Sequence, residues 1–143
     1  MQNSYAQKTD SFVQLINPKT IHTPNGYSHL AEVDLGNCRM IILSGQVALD
    51  TAGKLVGNGD LAKQTEQVFL NMKNAIESVG GTMDQLIKLN FYLLEGQEIQ
   101  AVRNVRDKFI NTKRPPASTL VKVSGLFRED ILIEIEGSFI IQK

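Results

Sequence analysis

Residues 61–94, LAKQTEQVFLNMKNAIESVGGTMDQLIKLNFYLL, decide the fold, because the hydrophobic period inside them changes from about 3.6 to two. Leu61, Thr65, Val68, Phe69, Met72, Ala75, Ile76 and Val79 recur at helical spacing. Asp60 stands at the positive end of that helix dipole and Gly80-Gly81 stops the helix, so the stretch predicts about five turns. Ile87, Leu89, Phe91 and Leu93 then alternate with Lys88, Asn90, Tyr92 and Leu94. That alternation predicts a strand with one face on a core.

On the N-terminal side, a polar start over roughly residues 1–26 gives way to β-rich stretches from Tyr27 to Val33 and from Arg39 to Leu49. Gly36-Asn37 between them reads as a hairpin turn. On the C-terminal side, Ile99, Val102, Val105, Phe109 and Ile110 form a second helical stripe that Pro115-Pro116 must end. Thr119, Val121 and Val123 then share one strand face, and Ile131, Ile133 and Ile135 share a face of the last strand. The predicted order is ββαβαββ, an α+β fold in which two helices cover one face of a sheet. The opposite face carries Leu120, Tyr92, Leu94, Leu132 and Ile140, and a second copy of the chain is the economical cover for it. Self-association of that kind creates clefts between subunits. Glu134 and Glu136 share this face, two steps apart. As residues, they read either as a solvated polar edge or as pocket carboxylates with a task.

Composition narrows the function classes. A chain of 143 residues with 42% hydrophobic character suits one domain, residues 1–143, whose first 26 residues are a variable segment. Fifteen basic residues balance fifteen acidic ones, so net charge supplies no general attraction to nucleic acid. The longest apolar runs, such as Met40 to Leu43, fall far short of the roughly 20 residues that cross a bilayer. MQNSYAQKTD lacks the apolar centre of a secretory signal, and the single Cys38 has no second cysteine to pair with, which together suggest the cytoplasm. His22, His29 and Cys38 lack zinc-site spacing, so no metal is expected; the two histidines read as surface or partly buried residues. The summed expectation is a small-molecule pocket with no nucleic-acid or membrane partner.

The segment PPASTLVKVSGLFREDILIEIEG, residues 115–137, resembles the C-terminal signature of the RidA (YjgF-like) family of enamine/imine deaminases. The family pattern there is Pro-Ala-Arg, a strand with Ser, Thr or Cys, and a closing Ile-Glu-Ile-Glu-Ala. This chain has Pro116-Ala117-Ser118-Thr119-Leu120-Val121 and Ile133-Glu134-Ile135-Glu136-Gly137. Asn25-Gly26-Tyr27 stands where the family has Gly-Pro-Tyr, and Leu43-Ser44-Gly45-Gln46 matches its Ser-Gly-Gln strand end. Gln67 to Gly81 and Leu86 to Leu93 keep the family's order and spacing, so the resemblance covers about residues 25–143.

The resemblance implies a chorismate-mutase-like fold, a homotrimer with three inter-subunit pockets, and hydrolysis of reactive 2-imino acids to 2-keto acids and ammonia without a cofactor. It implies that Glu134 handles the attacking water. By the same resemblance, Tyr27, Ser44 and Gly45 are expected to line the substrate cavity and Leu120 to take a pocket-wall position. One position departs: Ser118 replaces the arginine that holds the substrate carboxylate, and a hydroxyl cannot make a two-pronged ionic contact. Arg103, at the position of a family asparagine, Arg114 and Lys122 are candidates to supply the missing charge. The leading expectation is therefore a deaminase-type hydrolase with an altered or relaxed substrate, a small imine or carboxylate. The alternative is a noncatalytic trimer that binds a metabolite or partner in the same pocket. Ribonuclease activity, attached to some relatives, is disfavoured by the neutral charge and by the absence of an obvious general acid/base histidine pair.

Overall fold

A computed structural model describes residues 12–143, so the reading of MQNSYAQKTD falls outside the described residues. The elements are β1 (Val13–Ile16), β2 (Leu30–Asp34), β3 (Cys38–Gln46), α1 (Leu61–Ser78), a 3-10 turn (Met83–Gln85), β4 (Leu86–Leu94), α2 (Ile99–Arg106), β5 (Ala117–Val123) and β6 (Ile133–Gln142). The strands form one six-stranded sheet in the order β1-β2-β3-β6-β4-β5. β4 and β5 run parallel, as a strand-helix-strand crossover through α2 requires, and the other neighbours pair antiparallel. The α+β fold is as expected, with one strand more. β1 lies in the segment read as a polar start, and its first three side chains are exposed, so no buried alternation marked it.

α1 starts where Asp60 accepts a hydrogen bond from the Lys63 N–H at 3.0 Å. It ends where Gly80, at φ +80°, turns the chain so that the Gly80 and Gly81 N–H groups return to Glu77 O and Ile76 O. Its inner stripe of Val68, Phe69, Met72, Ala75 and Ile76 is fully buried against Ile41, Leu43, Leu89, Phe91, Ile133, Ile135 and Phe139 of the sheet. The predicted residues from Leu61 to Ile76 are all buried; Val79 is the partly buried C-cap, and Gln64 and Asn71 join the buried face. α2 is shorter than its apolar stripe and ends at Arg106; turns carry Phe109 back onto the core, where its ring stacks on Phe69 at 5.2 Å.

Two placements differ from the expected ones. Ile87 is 43% exposed, and Leu86 occupies the core position instead. Leu86 pairs with Phe139 and Lys88 with Ser138, so Ile87 is the extra residue of a β-bulge and swings outward. Leu120 is not on the open face. It registers beside Phe91 in the parallel β4–β5 pair and, like Leu132, packs against the core. The open face instead carries Met40, Ile42, Tyr92, Leu94, Val121 and Ile140, alternating with the buried residues of the same strands. Ile42 and Val121 are exposed there. Among the described residues, no helix is long and apolar enough to cross a membrane.

Candidate functional site

Ser44 and Gly45 owe their position to a second bulge. Leu43 pairs with Gly137 and Gln46 with Ile135, so two residues of β3 face the single Glu136 of β6. The bulge brings the Gly45 backbone against the side chain of Glu134: a Cβ on residue 45 would collide with Glu134 Oε1 and lie 2.8 Å from its Cδ. Ser44 is held by donating from Oγ to Ser28 O at 2.6 Å and from its N–H to His29 O at 2.9 Å. These bonds tie the strand end to the loop that carries Tyr27.

The two carboxylates of β6 have different surroundings although they share a face. Glu136 accepts hydrogen bonds from Asn90 Nδ2 and Tyr92 Oη, both at 2.9 Å. It is a structural acceptor that locks β6 to β4. The carboxylate of Glu134, a residue paired with Tyr92 in register, has no hydrogen-bond partner among the described residues. Burial, and secondarily the charge of Glu136, push its carboxyl above the usual range. A carboxylate with unused lone pairs and a raised affinity for protons is suited to take a proton from water.

Tyr27 lies before β2, and its hydroxyl is 3.0 Å from His22 Nε2. Burial, and then Glu134, raise its phenol above the ordinary value. His22 and His29 are not surface residues: they are 7% and 0% exposed, with rings edge to face at 4.8 Å. Burial lowers the affinity of both for a second proton; His29 adds to the effect on His22, and for His29 the bond to the His22 carbonyl opposes it. His29 Nε2 meets His22 O at 2.8 Å and its Nδ1 meets Gln46 Nε2 at 3.2 Å. The loop, the bulge and the strand end thus form one hydrogen-bonded unit.

A cavity of about 590 Å³ opens over this unit. Tyr27, Ser44, Gly45 and Glu134 all line it, together with His22; Val47, Leu49 and Phe127 form an apolar wall, and Thr23 and Asn25 a polar one. Asn71 of α1 holds the wall by donating from Nδ2 to Val47 O at 3.0 Å and Leu49 O at 2.9 Å. Arg103, Ser118 and Leu120 do not line it. Arg103 is on α2, and Ser118 and Leu120 are on β5, at the far end of the sheet from β2. Arg114 lines a different cavity, with Asn111 and Pro115. Among the described residues, no lysine or arginine lines the cavity over Glu134. Among the described residues, no group of three or more His, Cys, Asp or Glu side chains could hold a metal ion.

The family model described as Endoribonuclease L-PSP matches residues 18–141. The chain belongs to this family. Protein HMF1 of Saccharomyces cerevisiae is 34% identical over 100 residues, spanning 70% of this chain and 73% of that protein. A 2-iminobutanoate/2-iminopropanoate deaminase of Dermatophagoides farinae is 28% identical over 110 residues, spanning 77% of this chain and 83% of the relative. The crystal structure of RidA from an Antarctic Psychrobacter superposes with a TM-score of 0.77 at 27% identity, covering 90% of this chain and 99% of that one. The RidA (YjgF-like) resemblance, carried by the Ile-Glu-Ile-Glu and Ser-Gly-Gln segments, is thereby borne out. Sequence reasoning missed His22, His29 and Gln46. Their partners are a loop carbonyl, a phenol and each other, and no spacing rule registers such contacts.

Proposed function

We propose that this L-PSP family member is a hydrolase of small imines or enamines, acting without a cofactor, and that Glu134 activates the water. The observation that carries the reading is the unpartnered Glu134 carboxylate, raised in proton affinity and held over Gly45 in the cavity. An iminium carbon is already electrophilic, so hydrolysis needs an oriented water and proton transfers. Glu134 takes a proton as water adds to carbon, and the carbinolamine nitrogen receives a proton and leaves as ammonia. A carbonyl product remains. The deaminase among the relatives supports this chemistry, and the departure at Ser118 supports a substrate other than the standard 2-imino acid. Among the described residues of one copy, no cation stands on the cavity wall to offset the charge of Glu134 against a phosphate substrate, which disfavours ribonuclease action here.

The reading includes a homotrimer, in which the open sheet face is covered by neighbouring copies and β5 of one copy brings Ser118 and the backbone of Leu120 to the cavity of the next. The apolar residues left on that face, Ile42 and Val121 in particular, support it. Light scattering should then give about three times the 15.9 kDa chain mass. A monomer would remove the shared pocket. The rival reading, a noncatalytic trimer that binds a metabolite, is favoured by the missing arginine alone. Ammonia release from freshly generated imines, set beside equilibrium binding of small carboxylates, separates the two.

A further inference from the structure

His22 has one ring nitrogen with a partner and one without, and the difference settles where its proton sits. Nε2 lies 3.0 Å from Tyr27 Oη. Nδ1 is buried and has no hydrogen-bond partner among the described residues. A neutral imidazole carries one proton, which leaves two arrangements. In one, Tyr27 donates to Nε2, and Nδ1–H becomes a buried donor with nothing to accept it. In the other, Nε2–H donates to Tyr27 Oη, and Nδ1 keeps only an unused lone pair. Orphaned buried N–H groups are rare, whereas under-used acceptors are better tolerated, so the second arrangement is favoured.

His29 cannot rescue the first arrangement. Its Nε2 faces the His22 carbonyl oxygen at 2.8 Å and must therefore carry the proton. Its Nδ1 is then an acceptor, filled by Gln46 Nε2, and the Gln46 amide is oriented by a second bond to Ser44 O at 3.0 Å. With its donor spent and its ring edge-on at 88°, His29 serves to hold the His22 ring in place.

We propose that His22 is a positioning residue that donates from Nε2–H to Tyr27 Oη and so turns the tyrosine's own proton toward the cavity. The phenol then offers a donor beside the acceptor oxygens of Glu134, and Tyr27 and Glu134 both line the cavity. That pairing fits an occupant with a lone-pair acceptor, such as a carbonyl oxygen, a carbinolamine hydroxyl or a neutral imine nitrogen, next to a hydrogen-bond donor. It extends the hydrolase reading, because Tyr27 would hold the substrate heteroatom while Glu134 handles water, but the proton placement stands or falls without any turnover.

The test is ring 15N NMR on the whole chain at mildly alkaline pH, where only two histidines contribute signals. Both rings should show the Nε2–H tautomer, with His22→Gln assigning the pair. An Nδ1–H or doubly protonated His22 would overturn the proposal. A second measurement reads the same proton from the tyrosine side, by tyrosinate absorbance with Tyr27→Phe as the blank. An N–H donor stabilises the phenolate, so His22→Phe should raise the Tyr27 midpoint by roughly one pH unit, and His22→Gln, which keeps an N–H, should leave it near wild type. A midpoint that falls in His22→Phe means that Tyr27 was the donor, and contradicts the proposal. Glu134 and His29 are present in every variant, so their effects cancel in the comparison. If His22→Phe does not fold, the wild-type spectrum decides.

Discussion

Glu134 lies against the backbone of Gly45, where a single added methyl carbon would strike its carboxylate. The contact exists because β3 is one residue longer than β6 at the bulge, which aims a peptide rather than a side chain at the carboxylate. A glycine is needed here for space and not for backbone angle, since its φ is not in the left-handed region.

Gly45→Ala should therefore displace the Glu134 side chain while leaving the sheet paired. The collision is with the end of a flexible side chain, so the fold can absorb it. Turnover should drop roughly tenfold or more, since misplacement of a reacting group by an ångström is costly. Circular dichroism and melting close to wild type would complete the expected result.

Glu134→Gln separates function from stability by sign. The folded-state carboxyl is raised above its ordinary value of 4.5 by burial and by Glu136, so the folded protein holds that proton more tightly than the unfolded chain. Its contribution to stability is full in acid and is lost as pH rises through the raised value, which makes the ionised carboxylate a cost at neutral pH. Glu134→Gln should melt at or above the wild-type temperature at neutral pH, with any advantage vanishing as pH falls below the ordinary carboxyl range. Thermal melts across that range check the prediction.

Asn71 supports the cavity wall from α1, through two carbonyls on the segment that carries Val47 and Leu49. Asn71→Leu should leave Leu49 O without its donor and Val47 O with the Leu49 N–H alone, and cost roughly 1–3 kcal/mol in denaturant unfolding. A cost near zero would show that the carbonyls find other partners.

The sequence disclosed the helices and the central strands because their burial is periodic: the α1 stripe and the Ile133–Ile135 pair face the core as their spacing predicted. It also disclosed four cavity residues, Tyr27, Ser44, Gly45 and Glu134, through the family segments they sit in. Periodicity is blind to bulges, which is why it places Ile87 on the core face. Leu120 was misplaced for a related reason: its face follows from a parallel register with Phe91, and register is a relation between two strands. The His22–His29–Gln46 unit is illegible in the sequence because its bonds link two loop residues and a strand end, seven and seventeen residues apart, with no repeated motif.

Ser118→Arg tests the departure from the family pattern. If β5 of a neighbouring copy reaches the cavity, the new guanidinium can meet a carboxylate through two charge-assisted hydrogen bonds. Affinity for 2-ketobutyrate, a stable product mimic, should rise about tenfold or more by calorimetric titration. Equal binding by wild type would mean that another residue, with Arg103, Arg114 and Lys122 as the candidates, already supplies the charge.

The most direct measurement is ammonia release from imines generated in place by a dehydratase or an amino-acid oxidase, compared for wild type and Glu134→Gln at equal folded concentration. Wild type should accelerate release above the spontaneous rate, and Glu134→Gln should lose about a hundredfold of that acceleration with its melting temperature retained. Wild-type acceleration that survives unchanged in Glu134→Gln would contradict the role of the carboxylate, and no acceleration across imines with and without a carboxylate would contradict the hydrolase itself.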